Sequence, residues 1–581
     1  MRPRLSKRRF WFLYSIIFLL FGLIVYQVIQ LTYFHQASLL ELAHRQHYVT
    51  VDIPPMRGII TDRTGKEFVT NLKIPSIYAV PRIMDEAERE KMSTALAKIL
   101  KLDRKWVEKR LERDKAFVWI KRRVTFEEAE AIEALKTPAV GIVEEYKRFY
   151  PLGSTLANVL GFSNVDGQGL EGIELEMDTD LRGKPGKRVT KRDATGREIK
   201  AFEMKMLPAI DGNKIILTID QHLQYLTEKA LDDAVKKWKP KGAWAVVMDP
   251  KTGEILAMAN RPTFDPNEYS ASKPDSRRNR VITDMYEPGS VFKIVTASGA
   301  LNEGVVTPET EIYCENGLWN YGVRTLHDVH GYGKLPMRDV ITKSSNIGTV
   351  KIALKLKPNK LQKYIRGFGF GSYTGIDLTG EAPGYTRPPS QWSKTSPYNI
   401  PIGQEVMVTA LQMATALSVV ANGGYLVKPY IIAQVQDPAG VTLRETRPVV
   451  KKTVIKPEVA AEMRSILTQV VENGTGKKAK IPDISVGGKT GTAQKVLPDG
   501  KGYSHSSFMS SFIGFAPSDN PRYVMAVVLD DAHPSYYGGT VAAPVFKDVM
   551  QAAFLTEGIR PTSQASLPVL PNATEDLSMT D

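Results

Sequence analysis

Residues 287–301 read Glu-Pro-Gly-Ser-Val-Phe-Lys-Ile-Val-Thr-Ala-Ser-Gly-Ala-Leu. The reading turns on Lys293, a charge set among Val291, Phe292, Ile294 and Val295, where a core-facing helix normally takes apolar residues. Pro288 and Gly289 punctuate the chain just before this run, which predicts a turn opening into a helix whose first turn contains Ser290. Ser290 and Lys293 then share one face. A lysine screened from water has its ammonium form disfavoured, so it can serve as a base toward a serine nucleophile. A lone Ser-x-x-Lys is more often a lysine whose stem lies on apolar surface and whose head stays in water. The rest of the chain decides between the two.

Two further stretches supply polar groups of the kind an acyl-transfer site needs. Lys343-Ser344-Ser345-Asn346 can present a hydroxyl and an amide from a tight turn. In Val486-Gly487-Gly488-Lys489-Thr490-Gly491-Thr492 the glycines allow close backbone approach, and Lys489 carries a positive charge suited to a substrate carboxylate. Alone, the first is an ordinary loop and the second an ordinary turn.

These stretches lie in the more regular part of the chain. Asp220 is a good N-cap for a helix over QHLQYLTEKALDDAVKKW, with Leu223, Leu226, Ala230 and Ala234 at helical spacing. GAWAVVMDPKTGEILAMAN (242–260) predicts two strands joined by a turn. SFIGFAP (511–517) and RYVMAVVLDD (522–531) repeat that hairpin pattern, with helical segments between, including 406–422, and a last helix at about 542–556. Strand pairs at both ends with helices between them indicate an α+β fold whose sheet joins N- and C-terminal pieces. The stretch from 32 to 215 is less regular, with a charged helical region around 84–136. The expected organisation is therefore a first, irregular domain over 32–215, a second domain over 216–558 and a disordered tail over 559–581.

FWFLYSIIFLLFGLIVYQV, residues 10–28, carries no charge, and about twenty helical residues cross a bilayer core. A cleaved signal peptide is the alternative, but its apolar region is shorter and ends at a small-residue site, whereas this one runs on into Gln-Leu-Thr-Tyr-Phe-His. The anchor is placed at 10–31. Arg2, Arg4, Lys7, Arg8 and Arg9 precede it and keep residues 1–9 cytoplasmic by the positive-inside rule. The single cysteine, Cys314, excludes an internal disulfide and fits a bacterial exterior. The formal net charge is +14, with a basic cluster from Lys184 to Lys205. For a domain outside the membrane this charge points to lipid head groups or wall polymers rather than nucleic acid, with a solvated loop as the plainer reading.

Ser-x-x-Lys, then Ser-x-Asn, then Lys-Thr-Gly is the order found in penicillin-binding proteins and serine β-lactamases. With YEPGSVFK, KSSNIGT, GGKTGTAQ and YYGGTVAAPVFK around these motifs, the chain resembles the transpeptidase domain of class B penicillin-binding proteins. RGIITDR (57–63) and GQGLEGIE (167–174) are similar to that family's pedestal, and Asn346 resembles the FtsI-type division branch. The resemblance implies a β-lactamase/transpeptidase-like domain, an antiparallel sheet flanked by helices, on an elongated pedestal of the dimerisation type, with one transmembrane helix. It implies that Ser290 attacks the penultimate D-Ala carbonyl of a stem peptide and Lys293 takes its proton. It also implies that Ser344 relays a proton to the leaving D-Ala and Asn346 binds the stem-peptide amide. Lys489, Thr490, Gly491 and Thr492 would hold the terminal carboxylate, and the backbone N–H groups of Ser290 and Thr492 would form the oxyanion hole. No metal and no organic cofactor is implied.

The implied partners are stem peptides on a lipid-linked precursor, β-lactams as inhibitors, the inner membrane at the division site, other division proteins and an FtsW-like glycan polymerase. The last follows because the Glu-Asp-x-x-Phe pattern of a class A glycosyltransferase is not found between 32 and 220. PASTA repeats of the kind some relatives carry are not expected, because the chain stops soon after its last helix. No Glu-x-x-Leu-Asn of a class A β-lactamase lies between Asn346 and Lys489, so slow release of bound drug is expected. An elongation-type transpeptidase, a membrane-bound β-lactam receptor and a structural division component remain as other readings. His327 and His330 read as surface residues rather than metal ligands, since no His-Glu-x-x-His is present. Gly474-Thr475-Gly476-Lys477-Lys478 lacks phosphate-loop spacing, and Asn572-Ala573-Thr574 is a sequon by pattern only.

Overall fold

The computed structural model describes residues 7–34, 48–115, 117–192, 198–322, 325–497 and 502–558. Arg2, Arg4, residues 193–197 of the basic cluster, the expected tail and its sequon lie outside the described residues. Helix α1 (Lys7–Ile29) buries none of its side chains. Residues 7–33 form the one segment among the described residues long and apolar enough to cross a membrane, with mean hydropathy 2.4. At 1.5 Å per residue such a segment spans the roughly 30 Å hydrocarbon core, and its all-round apolar surface suits lipid. It is read as a single-pass membrane anchor.

The chain forms two compact units interleaved along the sequence. One takes residues up to 57, 72–147 and 183–212. Its helices start where short polar side chains offer an acceptor. Asp85 caps Glu86–Leu100, Asp103 caps Arg104–Leu111, and Thr125 with Glu128 forms a capping box on Phe126–Glu133. Leu96, Leu100, Val107, Leu111 and Ile132 are buried together beneath them.

The second unit takes residues 58–71, 148–182 and 213 onward. RGIITDR, from Gly58, and GQGLEGIE therefore belong to this unit. Ile60–Thr61 pairs in parallel with Ile215–Ile216, and Glu174, fully buried, accepts from Arg148 Nε at 2.6 Å. A buried carboxylate needs such a partner, and Arg148 is fixed in turn by donating to the Gly58 carbonyl.

The remainder of this unit follows the expected α+β plan. Asp220 caps α2 (Gln221–Trp238), accepting from Leu223 N–H at 2.9 Å. A hairpin of β1 (Gly242–Met248) and β2 (Ile255–Arg261) follows, then helices α3 (Lys293–Asn302), α4 (Asn346–Leu356), α5 (Ala410–Ala421) and α6 (Pro457–Glu472). Strands β3 (Gly487–Val496), β4 (Tyr503–Ala516) and β5 (Tyr523–Asp530) and helix α7 (Ala543–Thr556) complete it. The five strands form one antiparallel sheet in the order β2-β1-β5-β4-β3.

Both faces of this sheet are covered, which explains why its central strands read as unbroken apolar runs. Ala243, Ala245 and Val247 join Met525, Val527 and Leu529 in a core with residues of α2 and α7, including Leu231, Phe546 and Phe554. Trp244, Val246 and Met248 alternate with them and join Val524, Ala526 and Val528 in the core that takes in α3, α5 and α6.

Two local expectations shift. Helix α5 starts at Ala410 rather than 406, because Met407 and Val408 bridge Tyr385 and Tyr286 in extended pairing before the Thr409–Gln412 capping box opens the helix. Lys489-Thr490-Gly491 is an edge strand rather than a turn, since β4 supplies pairing that its local sequence does not reveal.

Candidate active site

The serine motif is built around a tight turn. Gly289–Phe292 forms one 3-10 turn that runs directly into α3, so Ser290 stands at the entrance of the helix and Lys293 is its first residue. Gly289 has φ +57°, a conformation that glycine tolerates best, and its N–H donates to the Gly403 carbonyl at 3.0 Å. A Cβ at Gly403 would stand 2.2 Å from the Gly289 carbonyl oxygen, so the two backbones can approach only without one.

β3 packs on the same turn. A Cβ at Gly491 would meet Ser511 Oγ at 2.3 Å and the Pro288 carbonyl at 3.0 Å. The glycine of Lys-Thr-Gly is thus required for the strand to lie against the serine turn. On that strand Thr492 Oγ1 accepts from Gly538 N–H at 3.0 Å, and Thr490 shares a 2.7 Å hydroxyl contact with Thr475.

The Ser-x-Asn stretch enters from a third direction. Ser344 sits at φ +61°, and Ser345 then caps α4 by accepting from Gly348 N–H, which makes Asn346 the first residue of that helix. Lys293, with no solvent exposure, donates from Nζ to the Ser344 carbonyl at 2.7 Å, Ser344 Oγ at 3.2 Å and Asn346 Oδ1 at 2.7 Å. Lys489, equally buried, donates to the same Ser344 Oγ at 3.0 Å. Lys293, Ser344, Asn346 and Lys489, spread over nearly two hundred residues of sequence, therefore form one hydrogen-bonded cluster. Ser290 stands one helical turn before Lys293, and its hydroxyl has no hydrogen-bond partner among the described residues.

Two buried amines around one hydroxyl repel each other. Burial, and then the neighbouring Lys489, push Lys293 well below the usual lysine range, while the Asp328 carboxylate opposes the shift. Burial alone brings Lys489 down to about 7. Its charge is therefore conditional near neutrality rather than fixed, and a carboxylate arriving beside it would favour the protonated form.

Asp328 was not singled out by the sequence. Its carboxylate accepts from Ser345 Oγ and Asn346 N–H, each at 2.5 Å, and from Ile347 N–H at 3.1 Å. It satisfies donors that the start of α4 would otherwise leave open. The adjacent His327 has an exposed side chain, and its carbonyl accepts from Asn346 Nδ2 at 2.9 Å. No spacing ties the stretch 326–329 to Ser344, so only the fold reveals the link.

Thr475 was set aside within a failed phosphate-loop pattern and proves to support Thr490. Glu287, in the opening stretch itself, is buried; it accepts from Glu405 N–H at 2.9 Å and Tyr503 O–H at 3.3 Å, and burial pushes it up to about 7. Cys314 is buried beside α4, and no group of metal-ligating side chains is present among the described residues.

The sequence matches the family described as penicillin binding protein transpeptidase domain over residues 243–551, and that described as penicillin-binding protein dimerisation domain over 52–217. Stage V sporulation protein D of Bacillus subtilis is 37% identical over 564 residues, covering 94% of this chain and 85% of that protein. Peptidoglycan D,D-transpeptidase FtsI of Escherichia coli is 33% identical over 515 residues, covering 87% and 84% respectively. The crystal structure of penicillin-binding protein 3 from Mycobacterium tuberculosis complexed with ampicillin superposes with TM-score 0.70 at 29% identity, over 90% of this chain and 100% of that one.

Proposed function

The chain belongs to the class B penicillin-binding proteins, and from that membership we propose that it cross-links peptidoglycan stem peptides at the division septum through an acyl-enzyme on Ser290. The carrying observation is Ser344 Oγ held between the two buried lysines, Lys293 at 3.2 Å and Lys489 at 3.0 Å. A neutral Lys293 has two N–H groups, enough for the Ser344 carbonyl and Asn346 Oδ1, and its lone pair remains to accept a proton.

In acylation, Ser290 Oγ attacks the carbonyl carbon of the penultimate D-Ala as its proton passes to Lys293. The N–H groups of Ser290 and Thr492 stabilise the oxyanion, helped by the position of Ser290 at the start of a helix. As the tetrahedral intermediate collapses, the C–N bond to the terminal D-Ala breaks, and the proton held by Lys293 returns to the leaving amine through Ser344. Asn346 orients the stem-peptide amide. Lys489, Thr490, Gly491 and Thr492 hold the terminal carboxylate, which also raises the proton affinity of Lys489. The amine of a neighbouring stem then attacks the ester carbonyl, gives up its proton along the same path and frees Ser290.

β-Lactams acylate the same serine and are released slowly. α1 anchors the chain with its N-terminus in the cytoplasm and the residues after the anchor outside, and an FtsW-like polymerase supplies the glycan strand. The chemical test uses the full chain in detergent, a stem peptide ending in D-Ala-D-Ala and an added amine acceptor. Acceptor-dependent D-Ala release that vanishes in Ser290→Ala supports the reading, and release unaffected by that change rejects it. Depletion in cells tests the septal role: filaments with blocked septa support it, and rounding of rods favours elongation.

A further inference from the structure

Apart from the catalytic cluster, the same unit holds a cavity of about 240 Å³ lined by Arg366, Phe368, Gly369, Ser372, Thr374, Leu426, Lys451 and Lys452, among others. Three of these residues are cations, and they come from different elements: the helix Pro358–Gly367 and the strand Val450–Thr453. Each is held by a backbone carbonyl rather than a carboxylate. Arg366 Nη1 donates to Gly371 O at 2.6 Å, Lys451 Nζ to Thr374 O at 2.5 Å and Lys452 Nζ to Arg366 O at 2.9 Å. Lys428 lies near Lys451 without lining the cavity. A Cβ on Gly375 would find Lys428 Cε at 3.4 Å and Lys451 Nζ at 3.7 Å.

The carboxylates of Glu381 and Asp377 are engaged by backbone N–H groups and one hydroxyl. Glu381 accepts from the Thr374 N–H and hydroxyl and from Gly375 N–H, and Asp377 accepts from Ile431 and Ile432 N–H. None of the four cations is in a salt bridge among the described residues. Burial lowers the proton affinity of Lys451, Lys428 and Lys452 lower it further, and Glu381 opposes them. The three lining cations, Arg366, Lys451 and Lys452, with no carboxylate in the lining, make a positive pocket whose mutual repulsion a bound anion would relieve. Beside it, Thr386 Oγ1 is buried without a partner, on the same side of Gly371 as the Arg366 guanidinium.

We propose that this pocket binds an oxyanion of the phosphate class, either a pyrophosphate or a phosphomonoester head group. The planar guanidinium and two flexible ammonium groups suit an acceptor with several oxygens. The volume lies below the roughly 300–1,000 Å³ of sites that enclose a whole small molecule, which fits a head group.

The test is calorimetric titration of the full chain in detergent, at low salt, with inorganic pyrophosphate and separately with glycerol 3-phosphate. Saturable binding that weakens as salt rises is expected, with affinity falling by about tenfold or more in Lys451→Ala/Lys452→Ala. Acylation of that variant by a fluorescent penicillin should match the unmodified chain, which shows that the fold and the serine site are intact. Tighter binding of pyrophosphate assigns a pyrophosphate ligand, and tighter binding of glycerol 3-phosphate a phosphomonoester. Absence of saturable binding of both probes, or binding unchanged in the double variant and in Arg366→Ala, overturns the proposal.

Discussion

Lys293 and Lys489 are costly residues for a folded core, since each ammonium must leave water, and each lies next to the other. Lys489, brought down to about 7 in the folded chain from an ordinary value of 10.5, shows the consequence. Between those values the unfolded chain holds more protons, so stability rises as pH goes up through that window, and the cost of burying Lys489 is fully present below pH 7. Lys489→Met should therefore raise the unfolding midpoint by roughly 2 °C or more, most at pH 6 and least near pH 10, in thermal scans by circular dichroism. The base role proposed for Lys293 makes a kinetic prediction. Acylation by a penicillin should slow as pH falls through its depressed pKa, in stopped-flow or gel-based rates. In Lys489→Met that acid limb should move to higher pH, because a cation that lowers the Lys293 pKa is gone. The charge in the opening stretch became legible as a site only together with the Ser-x-Asn and Lys-Thr-Gly stretches, since a lone lysine in an apolar run more often keeps its head in water.

The elements matter because they bring three short motifs to one point. Gly491→Ala would drive a methyl group into Ser511 Oγ and the Pro288 carbonyl, so β3 would have to move away from the serine turn. At least a tenfold loss of acylation rate is expected, with secondary structure intact by circular dichroism, since a displacement of about 1 Å in a positioned site can cost on the order of a hundredfold. Ser345→Ala removes both the cap on Gly348 N–H and the hydroxyl on Asp328, and should cost about 1 kcal/mol of stability in denaturant titration. The strand hairpins at both ends of the sheet and the helices around them were legible from alternation and capping residues. Asp328, Thr475 and the edge-strand character of Lys489-Thr490-Gly491 were not. Each depends on a partner far along the chain, Ser345, Thr490 and β4 respectively, and sequence periodicity carries no information about such pairing.

At the scale of the whole molecule, an apolar helix near the N-terminus, a unit capped by acidic helix starts and a sheet-centred unit with a serine site make a membrane-anchored transpeptidase. The interleaving of the two units was hidden for the same physical reason as the site's supporting residues. Ile60 pairs beside Ile215, and Arg148 meets Glu174 across segments that local patterns treat as one irregular stretch. The central claim is that Ser290 is the nucleophile of this cluster. The most direct measurement is intact-mass analysis of the full chain after incubation with a penicillin, followed over hours beside Ser290→Ala and Lys293→Ala. The account predicts one stable drug adduct, none in Ser290→Ala, and acylation slower by about a hundredfold or more in Lys293→Ala. An adduct that persists in Ser290→Ala, or none on the folded unmodified chain, would contradict it.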